Sequence, residues 1–178
     1  MADIQKQHHP AAPRGVEPGP PARPLLGPGV SFDRTLEEHR EIRRTVQELM
    51  DLIGEYRVGM EADLWLRWKG ALSAKLFGLR ERLIDHFFEE EQSGLYEDLS
   101  ERLPSLAPRT QSVRNEHRVI LEEIGGILAT LTVLQSTFPM EPTLLGQTRA
   151  TLWLIVRHER RESDLIARAQ LERMGSFD

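Results

Sequence analysis

Apolar residues recur every three or four positions along four segments of the chain, starting near residue 31. Residues at this spacing share one face of a helix, so the repeats predict four amphipathic helices. The first is predicted to begin at Asp33 or Thr35, with Thr35 and Glu38 as a capping box, and to end near Gly54 and Gly59. Its inward face comprises Leu36, His39, Ile42, Val46, Leu49 and Ile53.

The other three segments show the same period. The second helix is predicted over about residues 63–91, with the inward face Trp65, Trp68, Leu72, Leu76, Leu79, Leu83, His86 and Glu90. A loop marked by Gly94 and Pro104 follows. The third helix is predicted to start at Pro108 and carries Val113, His117, Ile120, Ile124, Ile127, Leu131 and Leu134. After a break at Phe138, Pro139 and Pro142, the fourth carries Thr151, Leu154, Ile155, His158, Glu162, Leu165 and Ala169.

These elements predict an all-α chain, because no segment shows a convincing alternation of polar and apolar residues. Four helices with short connections favour an up-down-up-down antiparallel four-helix bundle over residues 32–175. Residues 1–31 are rich in proline and glycine and are predicted to form a disordered tail. His8 and His9 lie in that tail, where a solvated role is favoured over metal binding.

Composition narrows the functional classes. With a net charge of -5, the 178-residue chain lacks the basic face that nucleic acids or anionic membranes favour, so neither is an expected partner. The absence of cysteine excludes disulfides, thiolate metal sites and cysteine nucleophiles, and fits a cytoplasmic protein. No apolar run approaches the roughly 20 residues of a membrane span, and the N-terminus has no signal-peptide pattern.

Each predicted helix carries one histidine on its apolar face: His39, His86, His117 and His158. A single inward histidine is usually a hydrogen-bonded core residue. Four of them, one on each helix, would be rare by chance. The four histidines lie at similar numbers of residues from the predicted turns, which places them at the same height along the bundle to within about one helical turn.

Two carboxylates accompany the histidines. Glu90 follows His86 by four residues, and Glu162 follows His158 by four, so each pair shares a helical face. An inward glutamate is costly unless a positive charge such as a metal ion neutralises it. The order Glu-His-Arg-x-Ile, His-x-x-x-Glu occurs twice along the chain, which predicts two matching hairpins around a pseudo-twofold axis.

Imidazole and carboxylate ligands without thiolate suit iron, manganese or zinc. Six ligands exceed the needs of one tetrahedral zinc ion and suit two six-coordinate ions bridged by Glu90 and Glu162. Such a site leaves positions for solvent, dioxygen, peroxide or nitric oxide. The Glu-x-x-His pattern of ferritin-like bundles is absent.

The chain over about residues 33–170 resembles the hemerythrin-like (HHE) cation-binding family. The resemblance rests on His39, His86-Phe-Phe-Glu-Glu90, Glu116-His117 and His158-Glu-Arg-Arg-Glu162. It implies a four-helix bundle with an oxo- or hydroxo-bridged di-iron centre. His39, His86, His117 and His158 would be terminal ligands, and Glu90 and Glu162 would be bridges.

The chain departs from oxygen-carrying hemerythrins at two positions. Val113 stands where they have a fifth histidine, and Ser163 stands where they have an aspartate, with the carboxylate one residue earlier. The match is therefore to the broader bacterial-type branch. Fewer imidazoles favour reaction with peroxide or nitric oxide, or sensing of these molecules, over reversible oxygen transport.

Three functional hypotheses follow. The first is a di-iron protein that binds, reduces or senses dioxygen, peroxide or nitric oxide; if catalytic, it would be peroxidase-like, catalase-like or active on nitric oxide. The second is a module that buffers iron or another divalent metal without turnover. The third is a metal-free helical interaction module. No protein partner is indicated.

Other side chains receive weaker predictions. Tyr56 and Tyr96 are candidate hydrogen-bond donors to the centre, although neither lies on a clear inward repeat. Glu38 and Glu116 either orient ligands or are exposed charges, and Glu89 is a fallback carboxylate more simply interpreted as solvated. Three tryptophans are predicted to lie in the core or to cap it: Trp65, Trp68 and Trp153.

Overall fold

The structure, a computed structural model, describes residues 32–134 and 142–175, with the backbone alone at residues 32–36, 102, 169, 170 and 172–175. Within these ranges the chain forms five α-helices and no strand. They are α1 (Phe32–Glu55), α2 (Ala62–Gln92), α3 (Leu95–Arg102), α4 (Ala107–Val133) and α5 (Pro142–Gly175), with a 3-10 turn at Pro104–Leu106 before α4. The prediction of an all-helical chain without a sheet is confirmed for the described residues.

The helix boundaries follow local sequence signals. Gly59 and Gly94 have φ angles of 84° and 72°, in the left-handed region that glycine adopts without a Cβ clash, and each lies between two helices. Pro108 lies in the first turn of α4, where its missing N–H costs nothing. The predicted limits of the second helix and the predicted start of the third agree with α2 and α4 to within one residue.

Two local predictions are wrong. Helix α1 already includes Phe32, so Asp33 and Thr35 lie inside it and cannot cap its start. The predicted loop after α2 contains the eight-residue helix α3. Helix α2 ends at Gln92, and the chain re-enters a helix directly after Gly94, because Leu95 and Leu99, one turn apart, are both buried.

The four long helices contact one another in a ring. Helix α1 contacts α2 and α5, and α4 contacts the same two neighbours, while α3 contacts α2, α4 and α5. The main apolar cluster inside this ring draws residues from all four long helices, among them Ile42, Leu79, Ile124 and Leu152. Burial in this cluster supplies the main driving force for folding.

A second, smaller apolar cluster lies against α3. Its buried members are Leu95, Tyr96, Leu99, Leu106, Val113, Leu165 and Ile166. On α4 and α5, the buried histidines and glutamates fall in sequence between residues of the main cluster and residues of this small cluster, and Glu90 of α2 falls between Phe87 of the main cluster and Leu95 of α3. The polar layer is therefore closed by apolar side chains on both sides.

The inward face of α5 differs in detail from its prediction. Leu152 is fully buried, whereas the predicted Leu154 is half-buried and Trp153 is 64% exposed. The buried face includes Thr148, Ile155 and Glu162, and Trp153 points away from it. Trp65 and Trp68 are buried as predicted.

Several predictions fall on residues outside the described ranges. They concern the tail at residues 1–31, with His8 and His9, and the break at Phe138 and Pro139. Pro142 begins α5. In the part of the chain that is described, no helix is long and apolar enough to cross a membrane.

Candidate metal centre

The six predicted ligands lie in the polar layer between the two apolar clusters. Helix α1 supplies His39, α2 supplies His86 and Glu90, α4 supplies His117, and α5 supplies His158 and Glu162. All six are buried, and the most exposed of them, Glu90, is 5% exposed. The structure therefore brings together the six side chains that the sequence singled out, while their binding of a metal stays a prediction.

One half of the centre is built around His39 and His86. Their Nε2 atoms are 3.1 Å apart, and their rings meet edge to face. The Oε1 atom of Glu90 lies 2.8 Å from His86 Nε2 and 3.8 Å from His39 Nε2. Glu162 adds its Oε2 atom at 3.5 Å from His39 Nε2.

The other half is built around His117 and His158. Their rings also meet edge to face, with centroids 4.9 Å apart. The Nε2 atom of His117 lies 3.4 Å from Oε2 of Glu90. Each half thus brings together two histidines whose rings meet edge to face.

Glu90 directs its two oxygens to different halves, whereas among the described residues Glu162 contacts a histidine of the first half and the Tyr96 hydroxyl. Glu90 places Oε1 beside His86 and Oε2 beside His117. Glu162 places Oε2 beside His39, while Oε1 lies 3.1 Å from the Tyr96 hydroxyl, which is itself 3.1 Å from His117 Nε2. A carboxylate with one oxygen on each side of a pair of positions has the arrangement of a bridging ligand.

The ligand atoms form two groups, each compact enough to surround a single cation. The first comprises His39, His86, Glu90 and Glu162, the second comprises Glu90, His117 and His158, and atoms within a group lie within 4.8 Å of one another. Glu90 belongs to both. Glu89, the fallback carboxylate, belongs to neither.

Hydrogen bonding in the centre is incomplete at two buried atoms. Glu162 Oε2 and His158 Nε2 have no hydrogen-bond partner among the described residues. Buried polar atoms are nearly always paired, and an unpaired one is costly unless an ion or water completes its contacts. Imidazole nitrogens and carboxylate oxygens are the donors that iron, manganese and zinc accept. The residues present therefore fit a metal centre.

Three further carboxylates hold the histidine rings from outside. The Nδ1 atoms of His86, His117 and His158 lie 3.1, 3.0 and 3.2 Å from Glu38, Glu91 and Glu116 respectively. Such contacts fix the ring orientation and leave Nε2 free for a metal. Of the two sequence interpretations of Glu38 and Glu116, the structure favours the orienting role. Glu91 was not singled out in the sequence, because it belongs to a run of three acidic residues.

Tyr96 reaches the centre from α3, a helix that the sequence pattern missed. Its hydroxyl lies 3.3 Å from Glu90 Oε2 and 3.1 Å from Glu162 Oε1, and the residue is 2% exposed. Burial and the two carboxylates raise the pKa of Tyr96 well above its usual value, so the group remains an O–H donor. Val113 belongs to the same small apolar cluster as Tyr96.

The Tyr96→Phe variant should be less stable than the unchanged protein in the absence of metal. It removes the hydroxyl that contacts both buried carboxylates, and an unsatisfied buried partner costs about 1–3 kcal/mol. Urea denaturation in the presence of a chelator measures this loss. An unchanged unfolding midpoint would show that the hydroxyl does not stabilise the layer.

The two halves of the centre differ in their electrostatics. Burial opposes the charge on His39 and His86, but the neighbouring carboxylates of Glu162 and Glu90 raise the pKa of His39 to about 10, and Glu90 raises the pKa of His86 to about 9. Burial lowers the pKa of His117, and burial with the adjacent His117 lowers the pKa of His158 to about 3. The negative potential is therefore concentrated at the His39 half.

The bridging carboxylates also respond to their surroundings. Burial, together with the adjacent Glu90, raises the pKa of Glu162 to about 7. Burial opposes ionisation of Glu90, but the imidazoles of His39 and His86 outweigh it and lower the pKa of Glu90. Without a metal, the buried layer is thus kept near neutrality by protons.

A scan against protein-family models and searches of curated proteins and of solved structures give no match to this chain. The class is therefore defined by the fold and the site alone. It is an all-helical protein with two overlapping groups of buried histidines and glutamates that could hold metal ions.

Proposed function

We propose that the chain is a hemerythrin-like protein whose four long helices form an antiparallel bundle around a non-haem di-iron centre, and that it binds, reduces or senses dioxygen, peroxide or nitric oxide. The observation that carries the proposal is the division of the two Glu90 oxygens between the two pairs of histidines, which makes Glu90 a member of both donor groups. A mononuclear site would need no such division.

The donor set supports iron within this proposal. Four imidazoles and two carboxylates provide nitrogen and oxygen donors, and the chain contains no cysteine. Structural zinc is usually tetrahedral, and a shared layer of six donors exceeds that number. Two octahedral ions bridged by Glu90 and Glu162 would use every donor and retain open positions.

The surroundings of the centre favour a small ligand. All six candidate ligands are buried, and apolar side chains lie on both sides of the layer. A diatomic molecule or peroxide needs little space, whereas a larger organic substrate would have to separate the helices. Iron would supply the redox chemistry, and Tyr96 would hold a proton beside Glu90 Oε2 and Glu162 Oε1.

Metal analysis combined with absorption spectroscopy tests the proposal. Protein produced with abundant iron should contain about two iron ions per chain and absorb in the near ultraviolet, where zinc is silent. Peroxide added to the reduced protein should restore that absorption rapidly. Less than one iron per chain would contradict the di-iron assignment, and iron-loaded protein that is inert to peroxide and nitric oxide would support metal buffering instead.

Metal affinity should rise steeply with pH. A histidine binds a metal only when its imidazole is neutral. Because the pKa values of His39 and His86 are raised to about 10 and 9, metal binding at neutral pH must release a proton from each of them. Between about pH 7 and 9, the logarithm of the affinity should increase by about two per pH unit. Isothermal titration in buffers of different ionisation enthalpy counts the protons, and a flat profile would contradict this electrostatic account.

A further inference from the structure

The two halves of the centre are related by a repeat in the sequence, but some of the corresponding residues differ in charge. Helix α1 corresponds to α4 and α2 corresponds to α5, so that His39 matches His117 and His86 matches His158. In the same alignment Phe87 corresponds to Glu159, and Arg43 corresponds to Leu121. The half around His117 therefore has the apolar residues Phe87 and Leu121 where the half around His39 has the charged residues Glu159 and Arg43.

The apolar half encloses His117. The ring of Phe87 stacks on the His117 imidazole with a centroid separation of 3.9 Å and an angle of 4°. Glu91 holds the Nδ1 atom of the same ring. Leu121, one turn further along α4, packs against the main apolar cluster.

The charged half encloses His39. Glu159 is 1% exposed, its Oε2 accepts a hydrogen bond of 3.1 Å from Arg43 Nη1, and its Oε1 has no partner among the residues described. The Nδ1 atom of His39 is likewise buried and without a partner in the described ranges. Ser163 occupies the position that corresponds to Glu91.

This asymmetry gives the two metal positions unequal charge. The His39 position has four candidate donors, two of them carboxylates, and the His117 position has three, one of them the shared Glu90. Glu159 is not among the donors but adds a third buried carboxylate that acts on His39 through its charge; its ion-pair partner, the Arg43 guanidinium, is exposed, so water screens the Arg43 charge more than that of Glu159. A buried negative charge attracts a nearby cation strongly, because little solvent screens it.

We propose that the two positions fill in order, the His39–His86–Glu90–Glu162 position first and the His117–His158–Glu90 position second, and that the buried Glu159 carboxylate sets this order. Glu159 is a positioning residue that acts on the cation through its charge. Arg43 donates a hydrogen bond to Glu159 Oε2, and Glu159 Oε1 has no partner among the described residues. The inference rests on the proposed pair of metal positions but requires neither iron nor redox chemistry.

Titration of the metal-free protein with Mn²⁺ under nitrogen at pH 9, where fewer protons compete for His39 and His86, tests the order. Calorimetry should resolve two steps whose affinities differ by about tenfold or more. Electron paramagnetic resonance should show isolated Mn²⁺ after the first equivalent and a coupled pair after the second. The Glu159→Gln variant should weaken the first step by about tenfold and leave the second nearly unchanged. The control Glu48→Gln, at an exposed glutamate paired with Lys75, should change neither step.

A matched pair of histidine variants assigns the steps to positions. His117→Gln should lose the weak step and keep the tight one, whereas His39→Gln should lose the tight step. Circular dichroism establishes that each variant is folded, and the corresponding alanine variants replace any that is not. Two steps of equal affinity, a tight step that survives in His39→Gln, or a Glu159→Gln variant identical to the unchanged protein would overturn the inference.

The outcomes separate this inference from the proposed function. Protein that binds two iron ions and reacts with peroxide, but fills in the reverse order, contradicts the inference alone. Ordered Mn²⁺ binding in a protein whose iron form is inert to oxidants supports the inference and contradicts the oxidant chemistry. A protein that binds no metal contradicts both.

Discussion

A variant in which Glu90 and Glu162 are both glutamine should bind less than about one metal ion per chain, against about two in the unchanged protein. Glu90 contacts histidines of both pairs, Glu162 contacts His39, and the two carboxylates supply all the negative charge among the candidate donors. Four neutral imidazoles alone would have to hold two divalent cations at close range, which their mutual repulsion opposes. Metal analysis after dialysis measures the stoichiometry.

The control for this variant is Glu89→Gln. This control removes one negative charge from a half-buried glutamate that directly precedes Glu90 and lies outside both donor groups. It should leave the metal stoichiometry unchanged. Circular dichroism of the double variant shows whether the helices persist. A folded double variant that still retains two ions per chain would contradict the assignment of Glu90 and Glu162 as bridges.

Removing metal from the loaded protein should lower its melting temperature by roughly 10–20 °C. A ligand that binds only the folded state stabilises it by about 2.7 kcal/mol at a concentration one hundred times its dissociation constant. Two such ions would contribute about 5 kcal/mol, and each kcal/mol shifts the melting temperature of a domain of this size by about 2–4 °C. Scanning calorimetry with and without a chelator measures the change.

The double Glu90 and Glu162 variant also serves as the comparison for this experiment. Its melting temperature should be insensitive to the chelator, because the ions are already absent. Equal sensitivity of the two proteins would place the stabilising metal elsewhere. Complete insensitivity of the unchanged protein would favour the metal-free helical module.

The sequence predicts the long helices well because their apolar period is unbroken. Every position of the predicted inward face of α2, from Trp65 to Glu90, is buried in the structure. Helix α3 escapes prediction because eight residues carry too few repeats to stand out between Gly94 and Pro104. Trp153 shows the opposite error, since a large apolar residue can lie on the solvent side of a helix whose inward face is already filled.

The candidate ligands were found from sequence because helical spacing relates His86 to Glu90 and His158 to Glu162 directly. The residues around them depend on tertiary packing. Tyr96 reaches the centre only because α3 lies against α4, and Glu159 is buried only because it turns toward Arg43 of α1. A sequence signal for Glu159 does exist: it takes the place of the apolar Phe87 in the repeated pattern.

A crystal structure of the iron-loaded protein, with anomalous scattering recorded at the iron edge, tests the central claim most directly. The account predicts two peaks separated by about 3.5–4 Å, both between Glu90 and Glu162, one beside His39 and His86 and the other beside His117 and His158. A single peak, peaks only at the protein surface, or no peak in this layer would contradict a dinuclear centre.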